Sequence, residues 1–156
     1  MKISAQDEYG IRVLIRIAKS DQEDGMSLPQ LSEAEGISNP YMAKITRALR
    51  IAGFIQSTRG YKGGYVLAKE PSEIKVGDVL KAMDGALFDE RFCNLHTGDF
   101  SLCTNSVDCS VRSLWRIIQH SLDKLLDKIT LEDLVGPEDS THEHLLEKVG
   151  FAEYSG

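Results

Sequence analysis

Apolar residues recur along this chain at steps of three and four, interrupted by glycine, proline and clusters of small polar residues. Ile11, Leu14, Ile15 and Ala18 fall on one side of a helical wheel and Arg12, Arg16 and Lys19 on the other, which predicts a first helix over residues 7–19. The polar run SDQEDGM breaks it. Ser27 followed by Pro29 reads as the cap and first turn of a second helix, LPQLSEAE, closed by Gly36. Ser38 or Asn39 caps a third, with Pro40 at its first position, Ile45, Leu49 and Ala52 facing inward, and an end at Gly53. Two helices joined by EGIS fit a helix-turn-helix, in which the glycine permits the tight turn.

Next come FIQSTR and YVLAK, strand-like segments separated by GYKGG, where glycines are expected to supply positive φ in a hairpin. A hairpin directly after such a helix makes a wing. A short amphipathic helix follows through Val79, Leu80 and Met83, and then an aperiodic stretch that reads as a loop. Val111, Leu114, Trp115, Ile118, Leu122, Leu125, Leu126 and Ile129 then describe one long apolar stripe. The predicted fold class is mainly α with a small β-hairpin wing. It comprises a winged helix-turn-helix over 1–85, a cysteine loop over 86–110, a long dimerisation helix over 111–135 and a flexible acidic tail over 136–156. A stripe of that length on a chain of 156 residues needs a partner, and a homodimer about a two-fold axis is expected, with Trp115 as an anchor.

Charge sharpens this picture. The formal net charge is −6, yet the 34 residues from Gly36 to Lys69 carry six basic groups and no Asp or Glu, whereas residues 65–156 carry nine basic and 17 acidic ones. A basic island inside an acidic chain points to nucleic acid at one place. Ser38 and Asn39 are placed to cap the third helix and contact phosphate; Tyr41, Lys44 and Arg47 project towards the major groove of double-stranded DNA. Arg59 and Lys62, with Tyr61 between them on the wing, would reach phosphates or the minor groove. The bland alternative is a solvated helix face beside a plain turn. No nucleotide-binding glycine motif or catalytic constellation is present, so an enzyme is not expected. The N-terminus carries acids where a signal peptide would be basic, and no run matches a membrane span, so a cytoplasmic protein is expected.

All three cysteines, Cys93, Cys103 and Cys109, lie in the aperiodic stretch, separated by nine and five residues. An odd count argues against a disulfide framework, and three thiols in one polar loop are poorly explained by packing. Thiolates favour soft or borderline metals, and iron–sulfur clusters are held mainly by cysteine. Zinc and thiol–disulfide chemistry remain alternatives. Three thiols leave a four-ligand site one group short, and His96, between the first two cysteines, is chemically competent to complete it.

The opening MKISAQDEYGIRVLIRIA, the segment LSEAEGISNPYMAKITRALRIAGFIQSTRG, the wing GYKGGYVLAKEPSEIKVGDVLKAMDG and the three-cysteine loop before LWRII together resemble the Rrf2 family of winged-helix bacterial regulators. That group includes iron–sulfur-cluster and nitric-oxide-responsive repressors. The resemblance covers residues 1 to 134. It implies a homodimer on palindromic operator DNA, with a 2Fe-2S or sometimes 4Fe-4S cluster in each cysteine loop. In some members the fourth ligand is a carboxylate at the start of the partner's first helix, and Glu8 matches that position, with Asp7 adjacent. Two histidine positions used by other members are Arg112 and Arg12 here, so the resemblance favours Glu8, with His96 as the alternative. Water, Asp7, Asp99, Asp108 or a small molecule complete the candidates. The gap between Cys93 and Cys103 is wider than is common in the family, and it also suits a site using Cys93 and Cys109 alone. His120 reads as a surface or interface residue, and His142 and His144 as part of the tail. The functional expectation is a transcriptional regulator, a repressor by resemblance, whose operator affinity follows the cluster's response to iron, redox state or nitric oxide. The rival from another class is an iron–sulfur redox protein that does not bind DNA.

Overall fold

Ser4 opens the first helix, α1 (Ala5–Ala18): its hydroxyl accepts from the Asp7 amide, and the Asp7 carboxylate accepts from the Ser4 amide. Two first-turn donors that helix geometry leaves unpaired are thereby satisfied. The computed structural model describes residues 3–59, 63–83, 85, 86 and 88–151. Ser27 and Gln30 repeat the reciprocal cap at α2 (Leu28–Glu35), which Gly36 closes at φ +67°, a left-handed conformation that favours glycine. Ser38 caps α3 (Asn39–Ile51), with Pro40 in its first turn. The expected helix-turn-helix is therefore present, built from local capping.

The wing pairs β1 (Ile55–Ser57) with β2 (Tyr65–Leu67) antiparallel, Gln56 opposite Val66. Its far edge is covered by the stretch read above only as a helix break, since Met26 and Tyr65 exchange backbone hydrogen bonds of 3.1 and 2.8 Å. Thr58 ties the base by accepting from the Gly64 amide (2.7 Å) and donating to the Asp24 carbonyl (2.8 Å). Gly64 corrects the expectation of positive φ: it is not left-handed, and glycine is needed because a Cβ there would sit 2.8 Å from the Met26 carbonyl carbon. Tyr61 and Lys62 lie outside the described residues.

After α4 (Val76–Met83) the chain makes α5 (Glu90–Leu95), α6 (Ser110–Leu126) and α7 (Glu138–Val149). The core gathers Val13, Leu14 and Ile17 of α1, Leu31 of α2, Met42, Ile45 and Leu49 of α3, Ile55, Ile74 and Val79, and also Leu131. Gly10 lets α1 approach α4, since a Cβ there would meet the Met83 side chain at 2.9 Å.

Three expectations about the second half need correction. The cysteine loop is not wholly aperiodic, because Asp89 accepts from the Arg91 and Phe92 amides and starts α5. The long helix ends at Leu126. Ile129 leaves the stripe and is buried, its carbonyl accepting from the Val76 amide, while the Leu131 amide donates to the Ile74 carbonyl. Burying each side chain is worth about 2 kcal/mol, enough to turn the chain back into the first domain. Lastly, the stretch expected as a flexible acidic tail contains α7. Its apolar positions are few, and it is fastened by Asp133 (side chain 7 % exposed), whose carboxylate accepts from His144 Nε2 at 2.7 Å and from Lys148 Nζ. Acids in its first turn and Lys148 in its last complement the helix dipole. Among the described residues no helix is long and apolar enough to cross a membrane.

Candidate functional site

The start of α3 is exposed. Asn39, Lys44, Arg47 and Arg50 face solvent, as do Arg59 at the wing and Lys69 beyond it, and none of these cations has an acidic partner within salt-bridge distance among the described residues. The Ser38 hydroxyl is engaged by the Tyr41 amide at 3.4 Å. Tyr41 is half-buried, edge-on to Tyr9 with centroids 5.9 Å apart, so its ring braces α3 against α1. A Thr46 hydroxyl in the core donates back to the Met42 carbonyl at 3.0 Å. The result is a rigid helix with a cationic outer face, beside a hairpin on the same side of the sequence. Such a surface suits the phosphate backbone and groove edges of duplex DNA.

Beneath this domain α1 and α2 are joined by ion pairs. Glu35, with 2 % of its side chain exposed, accepts from Arg12 Nε at 2.7 Å and Arg16 Nε at 2.9 Å. Arg12 also stacks over Tyr9 and lies 3.8 Å from Glu8. Sequence reading missed Glu35, since its burial depends on α1 crossing α2; the only local hint is an acid at the last position of a short amphipathic helix.

The cysteines separate into a pair and a single residue. Cys93, on α5, and Cys103, in the following turn, line one cavity of about 530 Å³ against the polar face of α6. Cys109 instead caps α6, its sulfur 3.4 Å from the Arg112 amide, and does not line the cavity. Arg112, Arg116, Gln119, His120 and Asp123 form the α6 wall. Apart from Arg112, mentioned only as a replaced ligand position, these were not singled out as site residues. Their spacing of three to four is the signal that places them on one face. Gln119 ties the loop down by accepting from the Phe88 amide at 3.0 Å and donating to Asp123 at 3.0 Å. Lys81 of α4 pairs with Asp123 at 3.0 Å, and that hydrogen bond holds its ammonium above the usual lysine range. Asp89 is held below the usual carboxylate range chiefly by its bond to Arg91.

His96 does not join this lining. Its Nδ1 donates to the Phe92 carbonyl at 2.8 Å and its ring stacks on Phe92 at 4.1 Å, outside the cavity. Glu8 lies in a second groove of about 790 Å³ between α1, α4 and α6, with Ile11, Leu80, Leu122 and Leu126. Gln119 and Asp123 line both spaces and so separate Glu8 from the thiols of its own chain. Among the described residues no three His, Cys, Asp or Glu side chains close on one metal position.

Comparison with known proteins agrees with the winged-helix architecture. The Rrf2 family, described as an iron-dependent transcriptional regulator, matches residues 3–137. The chain is 32 % identical over 143 residues to the HTH-type transcriptional regulator CymR of Bacillus subtilis (strain 168), covering 92 % of this chain and 96 % of that one. It is 33 % identical over 139 residues to the HTH-type transcriptional regulator IscR of Serratia proteamaculans (strain 568), covering 89 % and 82 %. Among solved structures, CymR, the global cysteine regulator of B. subtilis, superposes with a TM-score of 0.65 at 31 % identity over 86 % of this chain and 96 % of that one. T. potens IscR gives 0.65 at 33 % identity over 86 % of each. With its capped helix-turn-helix, cationic face and hairpin wing, this chain belongs to the Rrf2 family: it is a DNA-binding transcriptional regulator and not an enzyme.

Proposed function

We propose that the chain acts as a homodimer on palindromic operator DNA, and that its affinity is governed by an iron–sulfur cluster in the cysteine cavity. The observation that carries this reading is the shared cavity of Cys93 and Cys103, walled by cationic side chains of α6. Two thiols, Cys93 and Cys103, line the space, and Arg112 and Arg116 bring positive charge to its wall, while the remaining ligands would have to be recruited from outside it. Cys93 and Cys103 would be ligands, with Cys109 joining by leaving its capping role. Glu8 of a second copy is the favoured fourth group and His96 the alternative. When bound, the cluster supplies a one-electron, nitric-oxide-reactive centre of the kind thiolate-ligated iron provides.

The chain's own residues do the rest. Val111, Leu114 and Ile117 of α6 are each more than half exposed, an apolar strip that a second α6 would cover. The groove containing Glu8 runs beside α6, so an occupant reaching it from the partner would touch α1, which Arg12 and Arg16 couple to α2 through Glu35. Recognition helices meet half-sites about 34 Å apart, and a coupling of ~1–3 kcal/mol changes affinity by roughly 5–150-fold. On the DNA side Ser38 and Asn39 would contact phosphate at the start of α3, Tyr41, Lys44 and Arg47 would face the groove, and Arg59 and Lys62 would follow the wing to phosphate or minor groove.

A second reading, thiol–disulfide control, is favoured by the same pairing of Cys93 with Cys103 and by similarity to a protein named as a global cysteine regulator. Anaerobic purification with a visible spectrum, iron and sulfide assay and operator gel shift separates them. A coloured dimer whose DNA affinity changes on iron removal supports the cluster. Colourless protein that responds to thiol oxidants supports the second reading, and stoichiometric zinc counts against both.

A further inference from the structure

Resting on the thiol–disulfide reading above, we propose that the oxidant of the cysteine cavity is a small disulfide bearing carboxylate groups, selected by the positive charge of Arg116 and Arg112 beside the two thiols.

All three cysteines are free thiols, but only Cys93 and Cys103 line the cavity; the Cys109 sulfur accepts from the Arg112 amide at the start of α6. At about 530 Å³ the space has the size of a small-molecule site. Its charge is unbalanced. Both carboxylates of the lining are engaged by cations from outside it, Asp89 by Arg91 at 2.6 Å and Asp123 by Lys81 at 3.0 Å, whereas neither Arg112 nor Arg116 has an acidic partner among the described residues. Arg112 Nη2 donates to the carbonyls of Asn105 (3.0 Å) and Ser106 (2.8 Å), which fixes that charge against the loop following Cys103. Arg116 follows one helical turn along α6 and is exposed, so a ligand can reach it. Phe88 and Leu102 supply apolar surface for a short aliphatic chain.

A thiolate is the nucleophile in disulfide exchange, and a ligand that reacts with two thiols while matching two cations is an anionic disulfide. One cavity thiolate bonds to a sulfur of the ligand as the ligand's S–S bond breaks, and the other half leaves. The second cavity thiolate then attacks the protein-bound sulfur, joining Cys93 to Cys103 and releasing the remaining half. Each leaving half takes up the proton that a cavity thiol gave up. Two protein thiols are thereby oxidised and one disulfide is reduced to two free thiols, with no further reactant. Arg112 and Arg116 raise the concentration of the anionic ligand at the wall and take no part in bond making. The same charges disfavour a cationic disulfide.

The test uses the full-length protein, purified anaerobically, and three disulfides of similar size: dithiodipropionate (anionic), hydroxyethyl disulfide (neutral) and cystamine (cationic). Rates of loss of the Cys93 and Cys103 thiols, read by alkylation and peptide mass spectrometry, are divided by the rates on the same protein unfolded in urea, which removes each reagent's intrinsic reactivity. Dithiodipropionate is expected to exceed cystamine by about tenfold on that scale, with hydroxyethyl disulfide between them. R116Q should cut the preference to about threefold. Added salt should shrink it in the wild type, a measurement that does not depend on the variant folding. Equal normalised rates for the three reagents, or a preference that R116Q and salt leave unaltered, overturn the charge selection and leave thiol–disulfide control intact. Wild-type thiols that none of the three reagents oxidises overturn both.

Discussion

Arg12 Nε in α1 lies 2.7 Å from a carboxylate oxygen of Glu35 in α2, and that carboxylate is buried at the base of the helix-turn-helix. Arg16 Nε holds its other oxygen at 2.9 Å. Both arginine side chains are roughly half exposed, so the two sides of the ion pair respond differently to removal. Without Glu35 the guanidiniums can return to water; without them Glu35 stays a buried, unpaired charge. We therefore expect R12M/R16M to cost about 3–5 kcal/mol and E35Q clearly less, by urea unfolding. The reverse order would refute this account of how the two helices are joined.

Asp133 provides a pH prediction. Burial pushes its carboxyl up, but the hydrogen bonds from Lys148, the Thr130 amide and His144 outweigh it and hold the pKa well below the usual carboxylate range. A depressed folded-state pKa contributes stability above the unfolded value of about 3.9 and loses it as pH falls below that value. The protection factors of the amides of residues 138–149, measured against intrinsic exchange at each pH, should accordingly stay high at neutral pH and fall below about pH 4. D133N should show low protection at every pH; high protection in D133N at pH 7 would mean that apolar contacts alone dock α7.

For DNA binding, Lys44, Arg47 and Arg59 are expected to differ in kind. R59A should weaken all sequences alike and lower the salt slope by about 1, as for a phosphate contact, whereas K44A or R47A should cost ~1–3 kcal/mol and relax sequence preference if they meet base edges. Fluorescence anisotropy at several salt concentrations reads both. Unchanged affinity in all three would return this face to plain solvated charge.

Gly64 is expected to be intolerant of a side chain. The Cβ of G64A would press on the backbone of Met26 and Gly25 at 2.8–2.9 Å, where there is no flexible atom to yield. Thermal melting should show a loss of about 1–3 kcal/mol, and operator affinity should fall with it. Retention of both would show that the Met26 edge can part from the wing at little cost.

L114E and I117E place charges on the exposed strip of α6 without touching the core. Sedimentation should show a monomer for either variant, with operator affinity reduced far more than a single half-site contact explains. A stable dimer in both variants would locate the two-fold contact elsewhere.

The helix-turn-helix and wing could be read from residue order because their signals are local. Ser27 with Gln30, Ser38 with Pro40, and Gly36 act within a turn or two of their own positions. The cysteine site was legible only as a set of donors. That Cys93 and Cys103 share a cavity while Cys109 caps α6, that His96 turns onto Phe92, and that His120 lines the space follow from how α5 lies against α6. Periodicity carries no information about that contact.

Taken alone, the order of residues specified the helices and turns of the winged helix-turn-helix, and that a cationic patch and three thiols coexist in an otherwise acidic chain. Folding in three dimensions settled that α6 stops at Leu126 so that Ile129 and Leu131 can rejoin the first core, that Asp133 captures α7, and that Glu35 becomes a buried anchor. The division has a physical cause: caps and turns are decided by neighbours a few residues apart, while burial and ion pairing depend on groups that meet only once distant helices have packed.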